Sequence, residues 1–227
     1  MKQKIAIYYH CRLSDAPTFT PGTDHAAHPI DPAFAAWLMN SQMRALERSG
    51  LAAAAEEIHI GVNGDKQDTA LAKLIAPKNS QVVSHGNKAV SEIQTLNLLR
   101  RWLPEHSDWV VFYHHIKAIS HPTHAGYQAW RQRMEDACVW RWKQCVSDLE
   151  AGYDAVGCHW LTPKEFPGTV KSPFFGGNFF WATAKFLATL PPLAPATWQN
   201  RHEAESWIGY SKQKPKIKDY YKGFPTV

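Results

Sequence analysis

The stretch from residue 108 to residue 121 constrains the fold more than any other part of this chain. Its first half, Trp109-Val110-Val111-Phe112-Tyr113, is an apolar and aromatic run of the length that a buried central strand needs. Its second half, from His114 onwards, is polar and cationic. Ligands of open α/β sheets bind at the carboxyl ends of the strands. The change of character therefore predicts a crevice at the end of this strand, suited to an anionic ligand.

Strand and helix patterns alternate along the chain. Strands are predicted at residues 4–10, 57–62, 81–85, 109–115 and 153–160, and helices at residues 32–49, 70–75, 91–103, 127–150, 183–190 and 201–208. Such alternation predicts βαβ units, and hence an α/β fold with a mostly parallel central sheet flanked by helices. We find no repeat or linker in the 227 residues. We therefore expect one domain over residues 1–210, followed by a basic, aromatic tail over residues 211–227.

The cellular compartment is predicted from two features. The 4 cysteines include no Cys-x-x-Cys pair, which favours small buried thiols in a reducing compartment. No signal peptide and no long apolar stretch are visible. We expect a cytoplasmic protein, with a peripheral contact to the inner face of the membrane through the basic tail. The net charge of +5 would also suit nucleic acid, but no recognition motif supports that partner.

Four histidines, at positions 114, 115, 121 and 124, first suggest a metal site. Their spacing fits no standard motif, and His114 and His115 should point to opposite faces of a strand. A polar crevice in which one histidine and Lys117 contact a ligand has better support. A lysine just past a central strand can neutralise a diphosphate as a point charge, although an ordinary surface lysine would give the same pattern.

Two absences narrow the class of enzyme. The chain has no glycine-rich phosphate loop, which argues against kinases, P-loop NTPases and Rossmann dehydrogenases. It also has no Asp-x-Asp pair, which weakens a mechanism that needs a Mg²⁺ or Mn²⁺ clamp. A divalent metal stays open as a cofactor. Without one, the leaving-group charge must be stabilised by Lys, Arg, His and backbone donors.

Two further segments carry candidate functional residues. Gly176-Gly177-Asn178 precedes three aromatic residues, and its glycines would let the backbone approach a ligand closely, although a core turn fits too. Glu203 and Glu205 lie on a short predicted helix, where a carboxylate facing a cleft could serve as a general base. The alternative is a solvated helix with an Arg201–Glu205 pair.

Six motifs occur in the order found in a family of small bacterial glycosyltransferase-like proteins, related to the GT-A nucleotide-sugar transferases. That family carries Glu-x-x-Thr-Leu, Tyr-x-His-Thr-Lys-Gly, Trp-Arg-x-x-Met-Glu, Tyr-Asp-x-Val-Gly, Gly-Asn-Phe-Trp-Trp-Ala and Arg-x-Glu-Ala-Glu-x-Trp-Ile. The chain resembles it through residues 92–96, 113–118, 130–135, 153–157, 177–182 and 201–208. The resemblance covers residues 90–208 well and the N-terminal strand more loosely. Ile116, Ala118 and Phe180 depart from the family pattern, where Thr, Gly and Trp stand.

The resemblance implies a GT-A-like, Rossmann-like domain with a donor nucleotide at the carboxyl ends of the N-terminal strands. His115 and Lys117 would stand where other GT-A enzymes carry the Asp-x-Asp motif. The residues expected to bind the donor are His10, Glu92, Thr95, His115 and Lys117. Those expected to border the acceptor are Asn178, Trp181 and Arg201. Glu205, with Glu203 as second choice, would be the catalytic base.

The main hypothesis is therefore a glycosyltransferase that moves a sugar from a nucleotide-sugar donor to a saccharide or lipid-linked saccharide acceptor. A role in surface polysaccharide biosynthesis, without a required metal, would follow from the resemblance. The alternative is a nucleotide- or glycan-binding subunit without catalysis.

Overall fold

The protein is seen in a computed structural model that describes residues 3–14, 30–86, 92–165, 171–193 and 203–223. The strands are β1 (Ile5–Arg12), β2 (Glu57–Asn63), β3 (Ser80–Ser84), β4 (Val110–His115), β5 (Ala155–Gly157), β6 (Trp160–Leu161), β7 (Phe174–Phe175), β8 (Phe180–Thr183) and β9 (Ile217–Asp219). The α-helices are α1 (Pro32–Arg48), α2 (Leu51–Ala54), α3 (Lys66–Ile75), α4 (Ile93–Trp102), α5 (Ala125–Glu135), α6 (Trp142–Glu150), α7 (Ala184–Leu187) and α8 (Glu203–Ser206).

A seven-stranded sheet organises the fold, in the order β3-β2-β1-β4-β8-β5-β9. Strand β1 pairs in parallel with β2 and β4, β2 pairs in parallel with β3, and β5 with β9. Strand β8 is antiparallel to both of its neighbours, β4 and β5. The prediction of a mostly parallel sheet flanked by helices is confirmed. Because β8 runs opposite to them, β4 and β5 are parallel to each other, and their carboxyl ends lie at the same edge of the sheet.

The central strands are buried on both faces, as their continuous apolar runs predict. Alternate side chains of β1 and β4 enter two separate cores. Tyr9 and Phe112 lie in the core that α1, α5 and α6 cover, whereas Tyr8 and Tyr113 lie in the core under α4 and α7.

The helix boundaries correct several predictions. Helix α1 begins as expected, since the Asp31 side chain accepts a hydrogen bond from the Ala33 amide. The helix predicted over residues 127–150 is two helices, because a π-turn at Asp136–Trp140 lies between α5 and α6. The helix predicted over residues 183–190 is shorter, since Thr183 ends β8 and caps α7, which ends at Leu187.

The segment predicted as a separate tail is in part a strand of the sheet. Strand β9 pairs with β5, and Tyr220 and Tyr221 donate hydrogen bonds of 2.6 Å to Asp148 and Asp136. The boundary predicted after residue 210 therefore does not mark the end of the fold. The expected membrane contact included these two tyrosines, but their hydroxyl groups are hydrogen-bonded to carboxylates within the fold. None of the helices in the described part of the chain has the length and apolar character needed to cross a bilayer.

Candidate functional site

The carboxyl-terminal edge of the parallel strands brings together the residues predicted to bind a donor. His10 of β1 lies opposite His115 of β4 in the sheet register. Gly61 of β2 lies opposite His10 on the other side. Glu92 and Thr95 come from the start of α4, which packs on β1 and β2. Residues far apart in the sequence therefore meet at the edge where the polar half of the 108–121 stretch predicts a crevice.

Glu92 is the charged centre of this edge. Its carboxylate accepts a hydrogen bond of 2.6 Å from the Tyr113 hydroxyl and lies 3.4 Å from Nδ1 of His115. Burial alone would raise the pKa of Glu92, but His115, His10 and the Tyr113 hydrogen bond lower this pKa to about 2. The carboxylate is therefore ionised at neutral pH and holds His115 at the end of β4.

Thr95 joins two histidines behind Glu92. Its hydroxyl lies 2.8 Å from Nδ1 of His10 and 3.0 Å from Nε2 of His85. Position 61 must be glycine, because a Cβ there would collide with the Thr95 hydroxyl and with His85. Burial lowers the pKa of His10 to about 3, so His10 is a neutral hydrogen-bonding group at pH 7. It cannot contribute positive charge to an anion.

The histidines of the 108–121 stretch do not converge. His114 is 1% exposed and stacks on Phe112 at 4.6 Å between ring centroids, on the face opposite to His115 and Glu92, as predicted. His121 stacks on Tyr127, at 4.2 Å between ring centroids. Across the described ranges, no three His, Cys, Asp or Glu side chains are grouped so as to hold a metal ion. Glu92, the carboxylate at the donor edge, is bound by Tyr113 and His115.

Lys117 lies just past β4, half-buried against α5. Its Nζ is 4.1 Å from the centroid of the Trp130 ring, a cation–π distance. Burial lowers the pKa of Lys117, whereas the nearby carboxylates of Glu205 and Glu92 raise it. Lys117 thus lies at the end of the central strand, within electrostatic reach of carboxylates from two different elements.

The turn after Lys117 keeps a backbone conformation that favours glycine. Ala118 has φ of 69°, in the left-handed region, and the family that the sequence resembles has glycine there. Alanine at this position is therefore strained, because its Cβ disfavours the left-handed region.

We expect Ala118→Gly to leave the free energy of unfolding unchanged or to raise it by up to about 1 kcal/mol, since the lost strain offsets the lost methyl burial. The matched control is Ala182→Gly, at a buried alanine of β8. That variant should lose about 1 kcal/mol or more, because glycine weakens a strand interior. Urea unfolding of the three proteins tests this. An equal loss in both variants would show that position 118 carries no strain.

Two of the three residues predicted to border the acceptor are fully buried. Trp181 is a core residue: it stacks on Phe112 at 5.0 Å between centroids and donates its indole N–H to the Cys138 carbonyl at 2.8 Å. Trp181 was predicted to contact the acceptor, but 0% of the residue is exposed, so its side chain does not reach a surface where an acceptor could bind. Asn178 is equally buried and has φ of 55°, and neither polar atom of its side chain has a hydrogen-bond partner in the described part of the chain.

The two candidate bases differ in their surroundings. Glu203 accepts hydrogen bonds from Lys171, at 2.8 Å, and from the Tyr210 hydroxyl. Burial opposes these contacts, but together they lower the pKa of Glu203. Glu205 is half-buried, makes no hydrogen bond with any residue in the described ranges, and lies close enough to Lys117 to raise its pKa. Arg201 lies outside the described residues.

A family model described as "Domain of unknown function (DUF8361)" matches residues 24–224. The chain belongs to this family. The match includes Glu92, Thr95, His115 and Lys117 but not His10, and it also includes the 176–178 turn and both candidate bases of the DUF8361 chain. A search of curated proteins found no match.

Several solved structures resemble the DUF8361 chain at low identity. A Mycobacterium tuberculosis H37Rv protein in complex with manganese is 12% identical, with a TM-score of 0.39, over 99% of this chain and 91% of that chain. A 4-diphosphocytidyl-2C-methyl-D-erythritol synthase is 13% identical, with a TM-score of 0.42, over 96% and 90%. A Desulfovibrio desulfuricans G20 protein described as a nucleotide-diphospho-sugar transferase is 9% identical, with a TM-score of 0.43, over 99% and 84%. The chain spans 91% of the length of the manganese complex, and 66% of the length of another mycobacterial protein that resembles it.

Proposed function

We propose that this protein transfers a sugar from a nucleotide-sugar donor to a saccharide acceptor. The observation that carries the proposal is the position of Lys117 just past the end of β4, over the Trp130 ring and near enough to Glu92 and Glu205 for both carboxylates to raise its pKa. A transferase of this kind needs positive charge at the leaving diphosphate and a carboxylate at the attacking hydroxyl. Here both groups come to one edge of the sheet, the edge where open α/β sheets bind ligands.

The donor side of the proposal rests on Lys117 and His115. Nε2 of His115 is buried and has no hydrogen-bond partner among the residues that the structure describes, although Nδ1 lies 3.4 Å from Glu92. Buried polar atoms are seldom left unpaired, so a donor oxygen is a reasonable partner for this nitrogen. Lys117 would neutralise the charge that develops on the diphosphate as the bond to the sugar breaks. Charge and hydrogen bonding from the chain itself would then stabilise the leaving group.

The acceptor side rests on Glu205. In the proposed step, an acceptor hydroxyl attacks the anomeric carbon, the bond from that carbon to the diphosphate oxygen breaks, and Glu205 takes the hydroxyl proton. Glu205 is the better of the two candidate bases, because Glu203, two residues away, is already bound to Lys171 and Tyr210. A saccharide acceptor, such as one used in surface polysaccharide synthesis, would supply the hydroxyl.

A thermal-shift screen against nucleotide sugars, with and without Mn²⁺, tests the proposal directly. A donor at about 100 times its Kd should stabilise the native state by about 2.7 kcal/mol and raise the Tm. The same donor should then give transfer or hydrolysis products, measured by release of the free nucleotide. Binding without turnover across the donor panel would instead favour a non-catalytic binding subunit. No Tm shift with any donor would contradict both functions.

A further inference from the structure

A buried polar network connects helix α5 to both ends of the turn that carries Lys117. The network begins with an ion pair one helical turn apart: Nη1 of Arg131 lies 2.6 Å from Oε1 of Glu135, and both residues are buried. Burying two charges is costly, and an apolar pair of similar size would fill the same space at no loss of stability. The pair therefore calls for an explanation other than stability.

One arm of the network reaches the start of the turn. Gln42 of α1 accepts a hydrogen bond of 2.8 Å from the Tyr9 hydroxyl and donates to the His115 carbonyl at 3.3 Å. It also lies close enough to the Glu135 carboxylate to lower the pKa of Glu135. Gln42 is 2% exposed, so its amide is held by these partners rather than by solvent. The His115 carbonyl and Glu135 therefore share one buried amide as a neighbour.

The other arm reaches the end of the turn. Nε of Arg131 lies 3.4 Å from Oε1 of Gln128, and Nε2 of Gln128 donates to the His121 carbonyl at 3.3 Å. Two glutamines thus hold the backbone on either side of Lys117. Gln128 is bound to Arg131, and Gln42 lies next to Glu135, so both adjoin the same buried ion pair. Trp130, the residue before Arg131, lies under the Lys117 ammonium group.

We propose that Arg131 and Glu135 are positioning residues, which fix the turn at residues 115–121 so that the Lys117 ammonium group is held over Trp130 and towards the donor. The proposal rests on the proposed function for its catalytic consequence, but the position of Lys117 itself can be measured without any substrate. It gives the Trp-Arg-x-x-Met-Glu motif a role other than packing.

The double variant Arg131→Met/Glu135→Met separates positioning from stability. Apolar replacement of a buried pair is often neutral or stabilising, so we expect this variant to fold with an unchanged or higher Tm. We expect kcat to fall about tenfold or more with a smaller change in KM, since small misplacements of a charged group are costly. A purely structural pair would leave kcat unchanged.

The pH profile of Lys117 acylation by an amine-reactive reagent, followed by peptide mass spectrometry, gives a readout that is independent of transfer. In the wild-type protein the profile should be centred below the ordinary range for lysine, and in the double variant it should move upwards as the turn loosens. A shifted profile without any transfer activity in the wild type would support the positioning role and contradict the proposed function. An unchanged profile would overturn the positioning role.

A second variant guards against misfolding of the first. Gln128→Ala, at a half-buried position, removes the bonds to the His121 carbonyl and to Arg131 and leaves the Arg131–Glu135 ion pair in place. Its matched control is Gln144→Ala, which removes a comparable bond of 3.2 Å to Asp148 on α6. The acylation profile of Lys117 should shift in Gln128→Ala alone. Equal profiles in these two variants would contradict the proposal even if the double variant did not fold.

Discussion

Replacing Lys117 with alanine should reduce the rate of sugar transfer by about 100-fold or more, the scale of losing one group that stabilises developing charge. Lys117 lies just past the end of the central strand, two residues after His115, and the carboxylates of Glu92 and Glu205 are near enough to raise its pKa. In the variant, the departing diphosphate would meet a carboxylate-rich edge without a compensating cation. The loss should appear in kcat, because the charge on the diphosphate grows most in the transition state.

The control for Lys117→Ala is Lys143→Ala. The Lys143 ammonium group also lies over a tryptophan, at 5.6 Å from the Trp142 centroid, but on helix α6 and away from the strand ends. Both variants lose one positive charge and one cation–π contact. A difference in kcat between them therefore measures the effect of losing a lysine at the proposed site. Turnover in Lys117→Ala within a few-fold of that in Lys143→Ala would remove Lys117 from the mechanism.

The fold was predictable where side-chain periodicity and length were clear. The long apolar strands β1, β2 and β4 and helix α1, with its Asp31 cap, match the sequence patterns closely. Strand β9 was not predicted, because its three residues lie in a run of lysines and its charged side chains pack over Tyr153 or bind the backbone. The π-turn between α5 and α6 was also missed, since one extra residue in a helical turn hardly changes the apolar pattern.

The candidate site was predictable in its location and only in part in its contacts. The motifs of the family resemblance indicated Glu92, Thr95, His115 and Lys117, and in the structure these residues lie at one edge of the sheet. His85 was missed: it follows a short strand, and only the contact of its ring with Thr95 and Gly61 shows its place. The buried position of Trp181 was missed for the opposite reason, because three consecutive aromatic residues give no sign of which ring enters the core.

The second large effect on kcat is expected from replacing a carboxylate of α8. We expect Glu205→Gln to lower kcat by about 100-fold or more, the lower part of the range for losing a general base. The amide keeps the size of the side chain and cannot take the proton of the acceptor hydroxyl. Binding of the donor should be nearly unchanged, so the Tm shift with donor in a thermal-shift assay should match that of the wild type.

Glu203→Gln is the matched control, because it makes the same chemical change two residues away. Its carboxylate binds Lys171 and Tyr210, so we expect a loss of stability of about 1 kcal/mol and little change in kcat once the folded fraction is accounted for. If the kinetic effects were reversed, Glu203 would be the base and Glu205 a surface residue near Lys117. If neither variant lost activity, the acceptor proton would leave through another group, and direct displacement assisted by α8 would be excluded. The two Gln variants, assayed with the donor that gives the largest Tm shift, therefore decide which carboxylate faces the acceptor.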